Sequence, residues 1–372
     1  MKKTTAAIGA ALLALSAQSA FAQSSVTLYG IVDTSIRYLS NADSQNNGQV
    51  AMGVGPVTGS RWGLKGSEDL GGGLSTIFRL ENGFNLWNGA FASSGNLFNR
   101  SAYVGLKSDK YGQLTFGRQK TPFFDEYGDT FDPLTLGNYW QNSWIYNPIG
   151  PFLYSNNSAK YTYAIGGLSV KAMYGFGNTA GSVGQNSMYA FTATYAYGPV
   201  EGIVGWQQND TPKVNNAFKS AGTGNGKWNQ VNVGVVYTVV PAVRLLAGWL
   251  HSQDNTGTVD NAQAQAGLPA TANVSPNRID DNFYLGTTWQ ATAPLLVTAV
   301  GYYGEARNAA LLNGGLGNGK NYSATVLAEY SLSKRTEVYG TVDYTHGTGA
   351  YTIDYPGRNN QTGVAVGLRN IF

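Results

Sequence analysis

The sequence predicts an all-β fold: a transmembrane, 16-stranded antiparallel β-barrel with short periplasmic turns and long extracellular loops. Three observations carry this. Apolar and polar residues alternate with a period of two from the first segment to the last. Short turns and long polar segments follow one another in strict rotation. Among 372 residues there are 49 glycines and 24 tyrosines, only 12% charged residues and no cysteine. That composition suits a large sheet with glycine at close approaches and aromatics at interfaces. An exported chain of this size needs no disulfides.

Residues 1–22 read as a secretory signal ahead of the barrel, which takes residues 23–372. Lys2 and Lys3 open it, Ala6 to Ala17 is apolar, and Ala20-Phe21-Ala22 fits a small-x-small cleavage site. A membrane anchor helix is the alternative, but the apolar core falls short of the ~20 residues a spanning helix needs. Removing the two lysines lowers the formal charge from +3 to about +1. No basic stripe remains, which argues against a nucleic-acid partner.

The strands follow in order. In the first, Val26, Leu28, Val32, Ile36 and Tyr38 share one face, while Thr27, Asp33, Ser35 and Arg37 share the other. Leu168, Val170, Ala172, Tyr174 and Phe176 oppose Ser169, Lys171 and Met173. Phe191, Ala193, Tyr195 and Tyr197 oppose Thr192 and Thr194, and Val231, Val233, Val235 and Tyr237 oppose Gln230 and Asn232. Tyr322, Ala324, Val326 and Ala328 oppose Ser323, Thr325 and Glu329. Val338, Val342 and Tyr344 oppose Glu337, Thr341 and Asp343. In the last, Val364, Val366 and Leu368 take one parity, with Ala365, Gly367 and Arg369 on the other, and the chain stops on Phe372. An aromatic end fits a final strand locked into a closed sheet that meets lipid, and Phe372 is assigned to barrel closure and assembly.

Seven short turns lie at 69–73, 108–112, 166–167, 198–199, 240–242, 292–294 and 333–335, with eight longer segments between them. Seven and eight connections join sixteen strands, and both chain ends fall on the short-turn rim. A barrel of about that size leaves an aqueous channel rather than a packed core. A secreted β-sandwich or propeller would also alternate. It leaves unexplained the strict loop rotation and the tyrosines near strand ends, such as Tyr161, Tyr195 and Tyr237.

Four ordered segments resemble a known family. Ser24-Ser25-Val26-Thr27-Leu28-Tyr29-Gly30 is similar to the first strand of Gram-negative general diffusion porins, in their beta-proteobacterial branch. So are the run from Ser60 to Leu74, Asn99 to Leu106 with Phe116 to Gln119, and Gly367 to Phe372. The resemblance implies a homotrimer of barrels in the bacterial outer membrane, each with its own water-filled pore. It implies outer-membrane lipid, ions and small hydrophilic solutes as partners. It also implies a third loop folded inward to narrow the pore. A substrate-specific outer-membrane channel is the alternative.

Charge is segregated in a way that gives such a loop a mechanism. The stretch from Gln23 to Lys120 carries Arg37, Arg61, Lys65, Arg79, Arg100 and Arg118, while Thr121 to Asn157 carries Asp125, Glu126, Asp129 and Asp132 and no Lys or Arg. An arginine at the lipid midplane costs about 2–4 kcal/mol, so parity sends Arg37, Arg61, Lys65 and Arg79 to the lumen. Parity leaves Arg100 and Arg118 open, and the resemblance supports a lumenal Arg61 and Arg100. These six form the expected basic wall. Glu81, Asp125, Glu126, Asp129 and Asp132 form the expected acidic side, with a field running across the opening. Where the enteric relatives have a Pro-Glu-Phe-Gly tip, this chain has Phe131-Asp132-Pro133-Leu134. Loop aromatics, including Tyr139, Trp140, Trp144, Tyr146, Phe152 and Tyr154, are expected to pack against the wall or rim.

No other chemistry stands out. Asp125, Glu126 and Asp129 do not have calcium-loop spacing. His251 and His346 read as exposed rim residues. No Gly-x-Ser-x-Gly elbow occurs, and the glycine runs lie in loops rather than between strand and helix. The expectation is no catalytic residue, no metal and no cofactor.

Overall fold

The computed structural model describes residues 25–54, 57–93, 95–134, 153–213, 225–264 and 274–372. The signal segment 1–22 lies outside them, and so do Tyr139, Trp140, Trp144, Tyr146 and Phe152 of the third loop.

One closed antiparallel sheet forms the molecule. Its strands are β1 (Ser25–Leu39), β2 (Gln49–Val54), β3 (Arg61–Gly71), β4 (Leu74–Gly83), β5 (Ser101–Ser108), β6 (Gly112–Lys120), β7 (Tyr154–Ile165), β8 (Leu168–Gly175) and β9 (Met188–Tyr197). They continue with β10 (Val200–Pro212), β11 (Asn225–Val240), β12 (Val243–Asp254), β13 (Arg278–Gln290), β14 (Leu295–Ala310), β15 (Leu316–Ser331), β16 (Thr336–Gly349) and β17 (Asn360–Ile371). Seventeen segments make sixteen staves because β2 and β3 share one. The lower half of β1, from Ser25 to Ile31, pairs with β3, and the upper half, from Thr34 to Leu39, pairs with β2. The polar first loop therefore contains a piece of wall. Val50, Met52 and Val54 alternate there with Gln49, Ala51 and Gly53, and Val50 and Met52 lie opposite Tyr38 and Ile36 of the apolar face of β1. β14 and β15 likewise run into residues 307–320, expected as a long loop.

The sheet closes where β1 meets β17, with Asp33 opposite Arg369 and Ile36 opposite Val366. The Gly30 amide donates to the Phe372 carbonyl and the Phe372 amide donates back to the Gly30 carbonyl, each at 3.0 Å. A Cβ on Gly30 would collide with the Phe372 ring, so the terminal aromatic needs glycine beneath it. Closure gives the first and last strands ladder partners in a medium without water.

Burial is inverted relative to a soluble domain. Val26 is 66% exposed, Leu285 68% and Val366 63%, whereas Asp33, Thr115, Gln230 and Asn232 are buried. Apolar residues face lipid and polar residues face the lumen, as the parity predicts. The exception lies on the lumenal side of β10–β16. There Ile203, Val236, Leu246, Leu250, Val300, Leu327 and Tyr339 are buried in one apolar cluster. Those staves are also the long ones, at 12–16 residues each. The staves β4–β9 have 8–12.

Candidate pore constriction

The third loop leaves β6 at Thr121, whose amide donates to the Leu153 carbonyl, and winds into a π-helical segment, Phe124–Phe131. Its sequence has two faces. Phe123, Tyr127 and Phe131 point one way and are essentially fully buried against the lumenal apolar cluster of β10–β16. Tyr127 meets the Tyr284 ring edge-on at 6.0 Å. The wall makes room for it, since a Cβ on Gly248 would sit 2.7 Å from the Tyr127 hydroxyl. Each such aromatic contributes about 1.5–3 kcal/mol. The loop is therefore held by a core inside the barrel.

The other face carries the carboxylates, and they do not stand free across an opening. Lys171 Nζ lies 2.8 Å from Asp125 and 2.9 Å from Glu126, and Lys160 Nζ lies 3.2 Å from Asp125. Lys120 Nζ lies 2.6 Å from Asp129. Burial raises the Asp125 pKa, but Lys160 and Lys171 reverse this and hold the carboxyl well below the usual carboxylate range. Asp132 turns the opposite way, accepting from the Tyr302 hydroxyl at 2.8 Å. The acidic side expected from the sequence is thus mostly neutralised by neighbouring wall strands. Asp125 and Glu126 are half-buried, and a carboxylate drawn partly out of water is stabilised by such pairing. Lys160 and Lys171 lie outside the expected wall. Their signal was present, since Lys171 shares the polar parity of β8 and Lys160 that of Ser158 and Thr162 on β7.

The expected basic wall divides. Arg37 is in the lumen but buried against Asp343 at 2.8 Å, away from the third loop. Glu81 belongs to the wall rather than to the acidic side. It sits on β4, accepting from Arg100 Nε and from the Tyr29 hydroxyl at 2.7 Å each. Lys65 and Arg79, opposite one another on β3 and β4, flank the Tyr29 ring at 5.2 and 5.6 Å. Arg61 opens β3 beside them. Arg118 escapes its parity because β6 and β7 slip register between Gly117 and Gln119. Its Nε donates to the Asn99 carbonyl at 2.8 Å and its guanidinium lies 5.3 Å from the Tyr154 ring. Arg100 approaches the same ring at 5.7 Å. Both arginines line one cavity of about 650 Å³ toward the long-loop rim.

His251 and His346 stand outside this region, half-buried on β12 and β16 rather than exposed on the rim. His251 Nδ1 pairs with Asp281 at 2.9 Å. At the long-loop rim, Arg278 is completely buried, 2.8 Å from both Asp260 and Asp280. That cluster ties the sixth loop to β13.

A closed cylinder with a hydrocarbon-facing skin, a polar lumen and a charged lumenal wall is a transmembrane channel. The chain belongs to the Gram-negative porin family, whose profile matches residues 9–350. It is 29% identical to outer membrane porin protein 32 of Delftia acidovorans over the whole of both chains. It is 47% identical to an outer membrane porin protein of Bordetella pertussis over 149 residues, spanning 37% of this chain and 38% of that one. Among solved structures it superposes on the anion-selective porin from Comamonas acidovorans with a TM-score of 0.72 and 23% identity, over 94% of this chain and 100% of that one. It is a bacterial outer-membrane channel for passive diffusion of ions and small hydrophilic solutes, and not an enzyme.

Proposed function

We propose that the third loop narrows this pore and that the constriction favours anions. One observation carries the reading. Around the loop-three helix stand Arg61, Lys65, Arg79, Arg100, Arg118, Lys120, Lys160 and Lys171, against the carboxylates Glu81, Asp125, Glu126 and Asp129. Counting Asp132 at the end of the helix as well, eight cations stand against five carboxylates. Arg79 and Lys65 have no carboxylate in ion-pair range among the described residues. Excess fixed charge in a narrow low-dielectric opening raises the local concentration of counter-ions and weakens as salt rises. The similar Comamonas protein is described as anion-selective.

The reversal potential across a planar bilayer in a potassium chloride gradient tests this. Wild-type protein is expected to pass chloride in preference to potassium, and Arg61→Gln with Arg100→Gln to shift the potential toward potassium. A potassium preference in the wild type, or no shift in the double variant, overturns the reading.

Two further features complete the proposal. Residues 1–22 act as the export signal, and sequencing the purified protein from its amino end should begin at Gln23. Three copies assemble into a homotrimer of independent pores. A similar solved porin, OmpT of Vibrio cholerae, has a trimer form. Three equal conductance steps per insertion are the expected signature.

A further inference from the structure

Between the third loop and the short-turn rim the lumen holds a cavity of about 440 Å³, away from the basic wall of β3–β8. Asp132, Pro133 and Leu134 from the end of the loop-three helix line it, together with Pro241 and Ala242 from the turn between β11 and β12. We propose that this cavity binds a small zwitterion with an apolar side chain, a neutral amino acid, whose carboxylate meets Arg244 and whose ammonium meets Glu329. The site goes beyond the anion preference argued above and does not rest on it.

The two ends of the cavity differ in charge. Arg244, on β12, has the inward parity of Leu246 and makes no ion pair and no side-chain hydrogen bond among the described residues. A guanidinium offers five N–H donors in a fork that matches a carboxylate. At the other end, Glu329 on β15 shares Arg369 with Glu337, at 3.4 and 2.7 Å. Asp33 stands opposite Arg369 across the β1–β17 seam. Three carboxylates thus attend one guanidinium, and Glu329 holds the longer contact. Asp33 is engaged elsewhere, accepting from the Tyr339 hydroxyl at 2.5 Å and the Thr58 amide at 2.9 Å. Asp129 is matched by Lys120, and Asp132 accepts from Tyr302. Glu329 is therefore the carboxylate placed to take a guest ammonium. Asp33, Asp132, Glu329 and Glu337 together exceed Arg244 and Arg369, which disfavours a guest carrying only a carboxylate. A guest carrying only an ammonium leaves Arg244 without a partner. A zwitterion answers both ends, through charge-assisted hydrogen bonds at each.

The spacing and the walls fit such a guest. Arg244, Thr288, Thr298 and Leu327 form one row across β12–β15, and Glu329 lies one lumenal position beyond Leu327. Three strand spacings make about 14 Å of wall, and the two long side chains reach in from its ends. Between them Leu134, Leu246, Leu296 and Leu327 line the cavity. An aliphatic side chain seated on these leucines leaves water for an apolar surface.

The test is the ion current through single channels in a planar bilayer, with leucine added at neutral pH, where it carries both charges. Leucine is expected to lower the current saturably. Glycine has no side chain to seat, while isopentylamine and 4-methylpentanoate carry one charge each. All three are expected to need about tenfold higher concentrations, the equivalent of one lost charge-assisted contact. Arg244→Gln should raise the half-blocking leucine concentration roughly tenfold for the same reason. Glu329→Gln should do likewise, and it serves as the second variant should the first insert poorly. A current that falls linearly with leucine, equal block by any of the three analogues, or block unchanged in both variants overturns the site. The reversal potential in a potassium chloride gradient is read separately, so loss of this site leaves the selectivity reading standing.

Discussion

The Tyr302 hydroxyl donates to Asp132 at 2.8 Å, joining residues 170 positions apart. Asp132 ends the loop-three helix and Tyr302 stands on β14, so this bond pins the far end of the loop to the opposite wall. Both side chains are buried. Tyr302→Phe leaves a buried carboxylate short of a donor, at a cost of about 1–3 kcal/mol. The expected outcome is a barrel that still forms, shown by normal heat-dependent migration in gels, with a noisier open-channel current. A current as quiet as wild type would mean the apolar face holds the loop without this bond.

Acid should reach the third loop late. A carboxyl with a depressed folded-state pKa contributes its stability fully above the unfolded value of about 4, and loses it as pH falls through the lower folded value. Asp125 is such a group, through Lys160 and Lys171. Hydrogen exchange of the amides at 124–131 should stay slow from neutral pH down to about 4 and rise only below that. Asp125→Asn should exchange quickly already at neutral pH. Equal exchange in both proteins at neutral pH would remove Asp125 as an anchor.

The buried Arg278 should matter more than its distance from the pore suggests. It neutralises Asp260 and Asp280 together, with no solvent contact. Arg278→Met strands two buried carboxylates, and breaking such an arrangement costs about 3–5 kcal/mol. Limited proteolysis should then cut the sixth loop near 258–278 while the barrel strands stay intact. Unchanged resistance to protease would count against this role.

Closure should depend on the last residue. Deleting Phe372 removes both backbone bonds to Gly30 and the ring that covers it. Folding into detergent micelles should slow, and Gly30→Val should act in the same direction by forcing the ring aside. Refolding rates followed by gel mobility compare the three proteins, and equal rates would show that the seam closes without its terminal aromatic.

The outer surface was legible in the sequence because lipid imposes one rule on every lipid-facing position. Val26 and Val366 obey it, and parity alone places them. The lumen has no single rule. Where it meets water it is polar, as at Asp33 and Asn232. Where it meets the third loop it is apolar, as at Leu246 and Val236. Neighbouring pairs such as Val235-Val236 and Leu245-Leu246, apolar on both parities, carried that second message. Asp125 and Glu126 were found, but their partners were not, because Lys160 and Lys171 come from strands beyond the loop. Parity left Arg118 open because a register slip cannot be seen in spacing. Glu81 was legible as a pore residue but not as a member of the cationic wall.

The greasy half of the lumen has a consequence for assembly. Until Phe123, Tyr127 and Phe131 dock, the nascent cylinder would present a wettable bore on one side and a water-repelling wall on the other. The third loop therefore acts as the cover of that wall. Excising it to widen the pore would uncover that wall to solvent and invite collapse or aggregation. Trimming single side chains from its charged face is the way to alter passage without disturbing maturation.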